Sequence, residues 1–273
     1  SYNSDDKSFY LETENTSYVF RINDHGHLEK VYYGSLIQRI KNIDDMIPTY
    51  HVELGSSTSY DKESKGYMLH YTNLEVSTFG KGDYREPTIH LELPNGSRTI
   101  DLKYVSHEVI EFKEYKNMPH VRKKETLVIT LEDSVNKIQV LLNYSVYIDE
   151  DVIVRNLEIV NQNDEEVILD KALSFNMDML NKDYVLTKLD GAWIRERHVN
   201  DVELTKGTVR FDSKKGVSSS DHNPFFIIKE KTTLEEYGNC FGFALVYSGN
   251  FEANLEINSH NYLRANMGIN GFD

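Results

Sequence analysis

A chain of 273 residues, 39% hydrophobic and 27% charged, has enough apolar side chain to bury one large β domain or two smaller ones. Its net charge of −14 argues against nucleic acid and anionic membrane as partners, since both need a basic face to neutralise phosphate. A single cysteine, Cys240, excludes an intrachain disulfide, and with no secretion signal and no membrane-length apolar stretch the expected location is the cytoplasm.

The elements predicted along the chain are almost all β. Eighteen Tyr and twelve Phe, many beside Val, Ile and Thr, favour pleated, half-buried surfaces. Period-two alternation marks Ser17 to Ile22, and Asp24-His25-Gly26 closes it with a turn. Val31 to Ile43 predicts a strand followed by a helical turn, the one short helix the pattern suggests. Gly55 to Gly66, rich in Ser, Asp, Lys and Glu, predicts a long exposed loop. Pro94-Asn95-Gly96 is the sharpest hairpin signal. Further alternating runs cover Glu125 to Leu131, Ile138 to Tyr147 and Val152 to Val160, with turn residues at Asp149-Glu150-Asp151, Asn161 to Asp164 and Ser248-Gly249-Asn250. Cys240 sits in the apolar run Cys240 to Tyr247 and reads as a small buried hydrophobe. Strands at short, even spacing predict an all-β sandwich or barrel, and residues 1–273 read as one domain.

Catalytic signatures are missing. There is no phosphate-cradling glycine loop, no dinucleotide fingerprint and no nucleophile elbow around Ser218-Ser219-Ser220. His25 and His27 have the spacing of two metal ligands on one strand face, but Gly26 between them favours a turn, and no metal or cofactor is expected. In Gly82-Asp83-Tyr84-Arg85-Glu86-Pro87, Asp83 and Arg85 are set to pair across a turn. In Ser218 to Phe225 the Ser, Asp and His side chains either line a pocket or satisfy loop backbone.

The one tryptophan lies in Gly191-Ala192-Trp193-Ile194-Arg195-Glu196-Arg197. Two readings stand. Trp193 is buried beside surface charges, or it is an aromatic platform for the apolar face of a pyranose, with Arg195 or Arg197 bonding its hydroxyls.

Taken in order, several segments resemble the N-terminal domain of glycoside hydrolase family 36, the bacterial α-galactosidases. They are Leu28 to Gly34, Gly82 to Pro87, Gly191 to Arg197, Gly216 to Phe225, Leu245 to Phe251 and Met267 to Asn270. The resemblance implies a large two-sheet β-sandwich of the galactose-mutarotase-like, supersandwich kind. It implies that a (β/α)8 barrel and a small C-terminal β domain follow, and that the barrel holds both catalytic aspartates, a nucleophile and an acid/base. In retaining enzymes such carboxylates stand about 5–5.5 Å apart. The chain is thus expected to be inactive alone. The resemblance also implies a homo-oligomer, a tetramer, in which this domain lends residues to a neighbouring active site that takes α-galactoside oligosaccharides of the melibiose or raffinose type. On that view Trp193 stacks on the sugar next to the cleaved galactose, with Arg195 or Arg197 beside it and Tyr184 as a further candidate. The loop from Pro48 to Ser64 departs from the family's pattern of Asp and Arg. Two other functions compete: a free-standing carbohydrate-binding module, and an aldose epimerase, which needs a His acid and a Glu base in one cleft.

Overall fold

The computed structural model describes residues 1–50, 55, 58–114, 124–218 and 220–270. It falls into two compact units, Ser1–Asp170 and Lys171–Asp273. Strands in chain order are β1 (Tyr2–Asn3), β2 (Ser8–Glu12), β3 (Thr16–Ile22), β4 (Leu28–Ser35), β5 (Ile89–Glu92), β6 (Lys103–Ile110), β7 (Thr126–Asp133), β8 (Ile138–Tyr147) and β9 (Val152–Asn161). They continue with β10 (Ile168–Leu180), β11 (Val185–Ala192), β12 (Arg195–Glu203), β13 (Gly207–Ser213), β14 (His222–Lys229), β15 (Cys240–Ala244), β16 (Phe251–Ile257) and β17 (Tyr262–Ile269). The protein is all-β among the described residues, with two single-turn 3-10 helices, Ile43–Met46 and Leu69–Tyr71. Among the described residues no helix is long and apolar enough to cross a membrane.

In the first unit two antiparallel meanders, β1-β2-β3-β4 and β6-β7-β8-β9, supply the core. Phe9 stacks on Phe20 at 4.9 Å, and Phe20 on Tyr144 at 5.2 Å, which joins β3 to β8. A buried polar hub lies alongside. Glu75 accepts from the hydroxyls of Tyr18 at 2.6 Å and Tyr144 at 2.8 Å, and Arg155 closes the group 3.2 Å away. Burial, and then the Glu75 charge, drive the Tyr18 hydroxyl well above the usual phenol range.

In the second unit β13-β16-β17-β10 run side by side, and β12-β11-β14-β15 form a separate antiparallel sheet. Phe243 stacks on Phe175 at 4.9 Å and on Phe226 at 4.8 Å. The fully buried Arg264 donates to both oxygens of the fully buried Asp178, at 2.8 and 2.7 Å.

Four expectations need correcting. Cys240 is exposed: β15 is a sheet edge on which Cys240, Gly242 and Ala244 face outward while Phe241 and Phe243 turn inward, so its apolar run is only half buried. The helical turn forms at Ile43–Met46, after an extended stretch, and Leu69–Tyr71 adds a second. Asn95-Gly96 makes a tight turn, with the Gly96 amide donating to Leu93 O at 2.8 Å, yet β6 beyond it pairs with β7. Within the loop from Gly55 to Gly66, Tyr60 is buried and donates its hydroxyl to Asp101. Residues 51–54, 56 and 57 of the Pro48 to Ser64 segment lie outside the described residues.

Candidate functional site

Trp193 and Ile194 are the tip of the β11–β12 hairpin, whose last pair is Ala192 with Arg195. Three local features fix the tip. Ile194 is left-handed, with φ of 65°, a conformation that strains a β-branched residue. The ladder then slips: Asp190 faces His198 and Ala192 faces Arg195, so Gly191 stands opposite both Glu196 and Arg197, and Arg197 takes φ of 63° in the resulting bulge. Gly191 has no room for a side chain, since a Cβ would lie 2.5 Å from the Arg195 carbonyl oxygen. The Glu196 carboxylate accepts from the Ile194 amide at 3.0 Å and fastens the turn.

This geometry decides between the two readings of the tryptophan. Trp193 is 80% exposed and Ile194 73%, so the buried reading fails. Arg195 and Arg197 are exposed as well, on an edge strand that faces solvent throughout except at Val202. The structure therefore brings Trp193, Arg195 and Arg197 together at one tip. It does not bring Tyr184 there. Tyr184 is only 4% exposed and precedes the opposite end of β11, nine residues and roughly 30 Å of extended strand from Trp193. Nearness in sequence becomes distance along a strand.

Behind the tip lies a polar cluster whose centre, Asp190, was not singled out from sequence. Asp190 accepts from Lys188, from Asn200 Nδ2 at 2.7 Å and from His222 at 2.7 Å. Burial raises its pKa, but the bonds from Lys188, Asn200 and His222 outweigh burial and hold it below the usual carboxylate range. Only the register, Asp190 opposite both His198 and His222, makes this cluster, and no local spacing announces it. The Gly216 to Phe225 segment packs beside the hairpin. The Gly191 amide donates to Asp221 O at 2.8 Å, the Gly216 amide to Asn250 Oδ1 at 2.6 Å, and Lys215 pairs with Asp221. Asp221 thus serves the loop, His222 joins the Asp190 cluster, and Ser219 lies outside the described residues.

The remaining motifs are structural. Arg85 donates from Nε to Asp83 at 2.9 Å and from Nη2 to the carbonyls of Leu69 and Thr72 at 2.7 and 2.9 Å, all buried. The nitrogens of His27 meet Asp101 at 2.9 Å and the Tyr67 hydroxyl at 3.0 Å, while His25 stacks on Tyr67 at 3.8 Å.

Comparison with known proteins places this architecture. The model of the glycosyl hydrolase family 36 N-terminal domain matches residues 26–273. Alpha-galactosidase AgaA of Geobacillus stearothermophilus is 33% identical over 279 aligned positions, 100% of this chain and 38% of that protein. The crystal structure of an alpha-galactosidase from Lactobacillus brevis superposes with a TM-score of 0.93 at 31% identity, covering 99% of this chain and 37% of that one. A substituted AgaA from Geobacillus stearothermophilus in complex with raffinose gives a TM-score of 0.91 at 32% identity, over 97% of this chain and 37% of the other. The chain thus spans about 38% of the length of the alpha-galactosidases AgaA and Mel36A, and 29% of the bifunctional AgaSK. It belongs to glycosyl hydrolase family 36, whose N-terminal domain it matches from residue 26 onward.

Proposed function

We propose that this chain is the N-terminal, non-catalytic domain of a bacterial, cytoplasmic α-galactosidase that hydrolyses terminal α-galactosides of the melibiose and raffinose type with retention. On this reading residues 1–273 form one β-sandwich domain of the supersandwich kind. Support comes from the two facing meanders of the first unit, and from a family match that runs unbroken through both units. The nucleophilic and acid/base aspartates belong to a (β/α)8 barrel within the additional length seen in the relatives.

The observation that carries the site reading is the exposed Trp193 on a strained, glycine-locked tip with Arg195 and Arg197 beside it. A large apolar ring held in water by a constrained backbone suits a surface contact, since strain of this kind collects at ligand clamps. In a homo-oligomer, a tetramer, the tip reaches the active site of a neighbouring subunit and stacks on the sugar next to the cleaved galactose. It contributes binding and orientation, and the bond-making groups lie elsewhere. The same exposure favours a second reading, a free-standing carbohydrate-binding module.

The test is hydrolysis of a chromogenic α-galactoside by residues 1–273 and by the product of the uninterrupted reading frame. Hydrolysis by the longer product alone is expected. In it, Trp193→Ala raises KM for raffinose roughly two- to tenfold, the equivalent of about 0.5–1.5 kcal/mol of stacking, with kcat on a small aryl galactoside little changed. Hydrolysis by residues 1–273 would overturn the non-catalytic reading. Raffinose binding by a reading frame that ends near residue 273 would favour the module.

A further inference from the structure

Gly80, Lys81 and Gly82 are three consecutive left-handed residues, with φ of 96°, 55° and 82°. For a lysine this conformation is unfavourable and persists only where the surroundings impose it. Here they do. A Cβ on Gly80 would lie 2.5 Å from Thr99 Oγ1, and one on Gly82 would lie 2.9 Å from the Thr58 carbonyl oxygen. The turn carries the Lys81 ammonium to 4.8 Å from the centre of the Tyr60 ring and 3.9 Å from Asp101 Oδ2. Lys103, at the start of β6, brings a second ammonium to 5.5 Å from the same ring.

Between this wall and the turn joining β7 to β8 opens a cleft of about 410 Å³, formed by the first unit alone. That volume falls within the range of small-molecule sites, about 300–1,000 Å³. Its floor is already committed. Asp101 accepts from His27 at 2.9 Å and from the Tyr60 hydroxyl. Asp133 accepts from the amides of Asp101 at 2.8 Å, Val135 at 3.0 Å and Asn136 at 2.9 Å. Burial raises the Asp101 pKa, but the bonds from His27 and Tyr60 outweigh it and keep the carboxylate ionised beside Lys81. Lys81, Lys103, Thr99, Glu132 and Ser134 also line the cleft, together with Val105 and Val135, both exposed.

The ligand class follows from this balance. Two ammoniums set against Asp101, Glu132 and Asp133 leave no positive excess, so the cleft is a poor trap for a free anion. A lining that mixes ammonium, hydroxyl and carboxylate groups with the apolar side chains of Val105 and Val135 matches a ring bearing hydroxyls on one side and C–H groups on another. We propose that the cleft between Lys81, Lys103 and the β7–β8 turn binds a neutral saccharide. This site shares no residue with the Trp193 tip and stands whether or not that tip contacts sugar.

The test maps amide shifts on the 15N-labelled 273-residue chain titrated with raffinose and, in parallel, with inorganic phosphate. Raffinose is expected to move the amides of Lys81, Thr99, Asp101 and Asn136 in a saturable way. Lys81→Met with Lys103→Met weakens that response about tenfold, the equivalent of losing a charge-assisted hydrogen bond, and leaves the rest of the spectrum in place. Trp193→Ala leaves the cleft response unchanged. Raffinose shifts confined to the hairpin tip, no shifts at all, or a cleft response indifferent to the double substitution would each overturn the proposal. A response to phosphate without one to raffinose would overturn the ligand class.

Discussion

Gly191→Ala probes the tip directly. The new Cβ would lie 2.5 Å from the Arg195 carbonyl oxygen and 2.6 Å from the Glu196 Cα, well short of the 3.4 Å at which ordinary contact begins. Both neighbours are backbone, so no side chain can swing away, and β12 must retreat by a large fraction of an ångström. Overpacking of this size costs about 1–3 kcal/mol. The hairpin has a cheaper response than global unfolding. Residues 193–201 are exposed, so opening the Ala192–Arg195 pair surrenders little burial and also releases the strain at Ile194. The expected outcome is local fraying: a melting temperature lowered by no more than a few degrees, and a tip that becomes mobile. Trp193 is the only tryptophan, so its fluorescence reports on the tip without interference. Steady-state anisotropy should fall in Gly191→Ala, while the emission maximum, already that of an exposed indole, barely moves. Unchanged anisotropy together with an unchanged melting curve would refute the claim that Gly191 locks the tip.

Arg264→Met removes both charge-assisted bonds from the buried Asp178 and should destabilise by about 3–5 kcal/mol in denaturant titration, whereas Arg264→Met with Asp178→Leu recovers most of that loss. Asp101, Asp190, Asp201 and Glu252 have folded pKa values below their ordinary ones, so their contribution is present above about pH 4 and is lost as the pH falls through the folded values. Glu29, raised chiefly by burial, runs the opposite way, and a melting temperature that holds steady on acidification through that range would contradict the net sign. Cys240, exposed on an edge strand, should react stoichiometrically with a thiol reagent in the native protein, and protection until denaturation would show that β15 is covered.

Strands were legible wherever side chains alternate locally. Ile138 to Tyr147 and the start at Val152 are read from sequence as the structure places them, because β-branched and aromatic residues at period two leave the backbone few alternatives. What the sequence hid is of three kinds. Partners far apart along the chain carry no local mark: Glu75 and Arg155 meet across 80 residues, Asp178 and Arg264 across 86. Handedness at non-glycine turns is equally silent, since nothing about Lys81, Ile194 or Arg197 as residue types asks for a positive φ. Finally, an apolar run does not say whether its strand is central or at an edge, which is why Cys240 is exposed. The Trp193 motif was visible as composition, but its exposure depended on a bulge that only the register reveals.

The two turns built on left-handed residues share a construction. At Gly191 and at Gly80 a glycine sits where a Cβ would strike a neighbouring segment, and in the same turn an ordinary side chain, Ile194 or Lys81, takes a left-handed backbone. Each arrangement is less stable than a glycine or asparagine turn of the same shape, and a surface loop with no other task has no reason to keep it. What the strain secures is direction. A tryptophan or lysine on a mobile loop loses rotamer and backbone freedom when it meets a ligand, whereas one held by a packed turn has lost that freedom already on folding. The same logic accounts for Glu196, whose carboxylate fastens the Ile194 amide, and for Asp101, which sits within ion-pair range of Lys81. On the proposed function, presentation of single side chains from packed turns is what a non-catalytic domain contributes to carbohydrate recognition. Replacing Ile194 with glycine should separate the two effects, raising or preserving stability while loosening the ring that Trp193 presents.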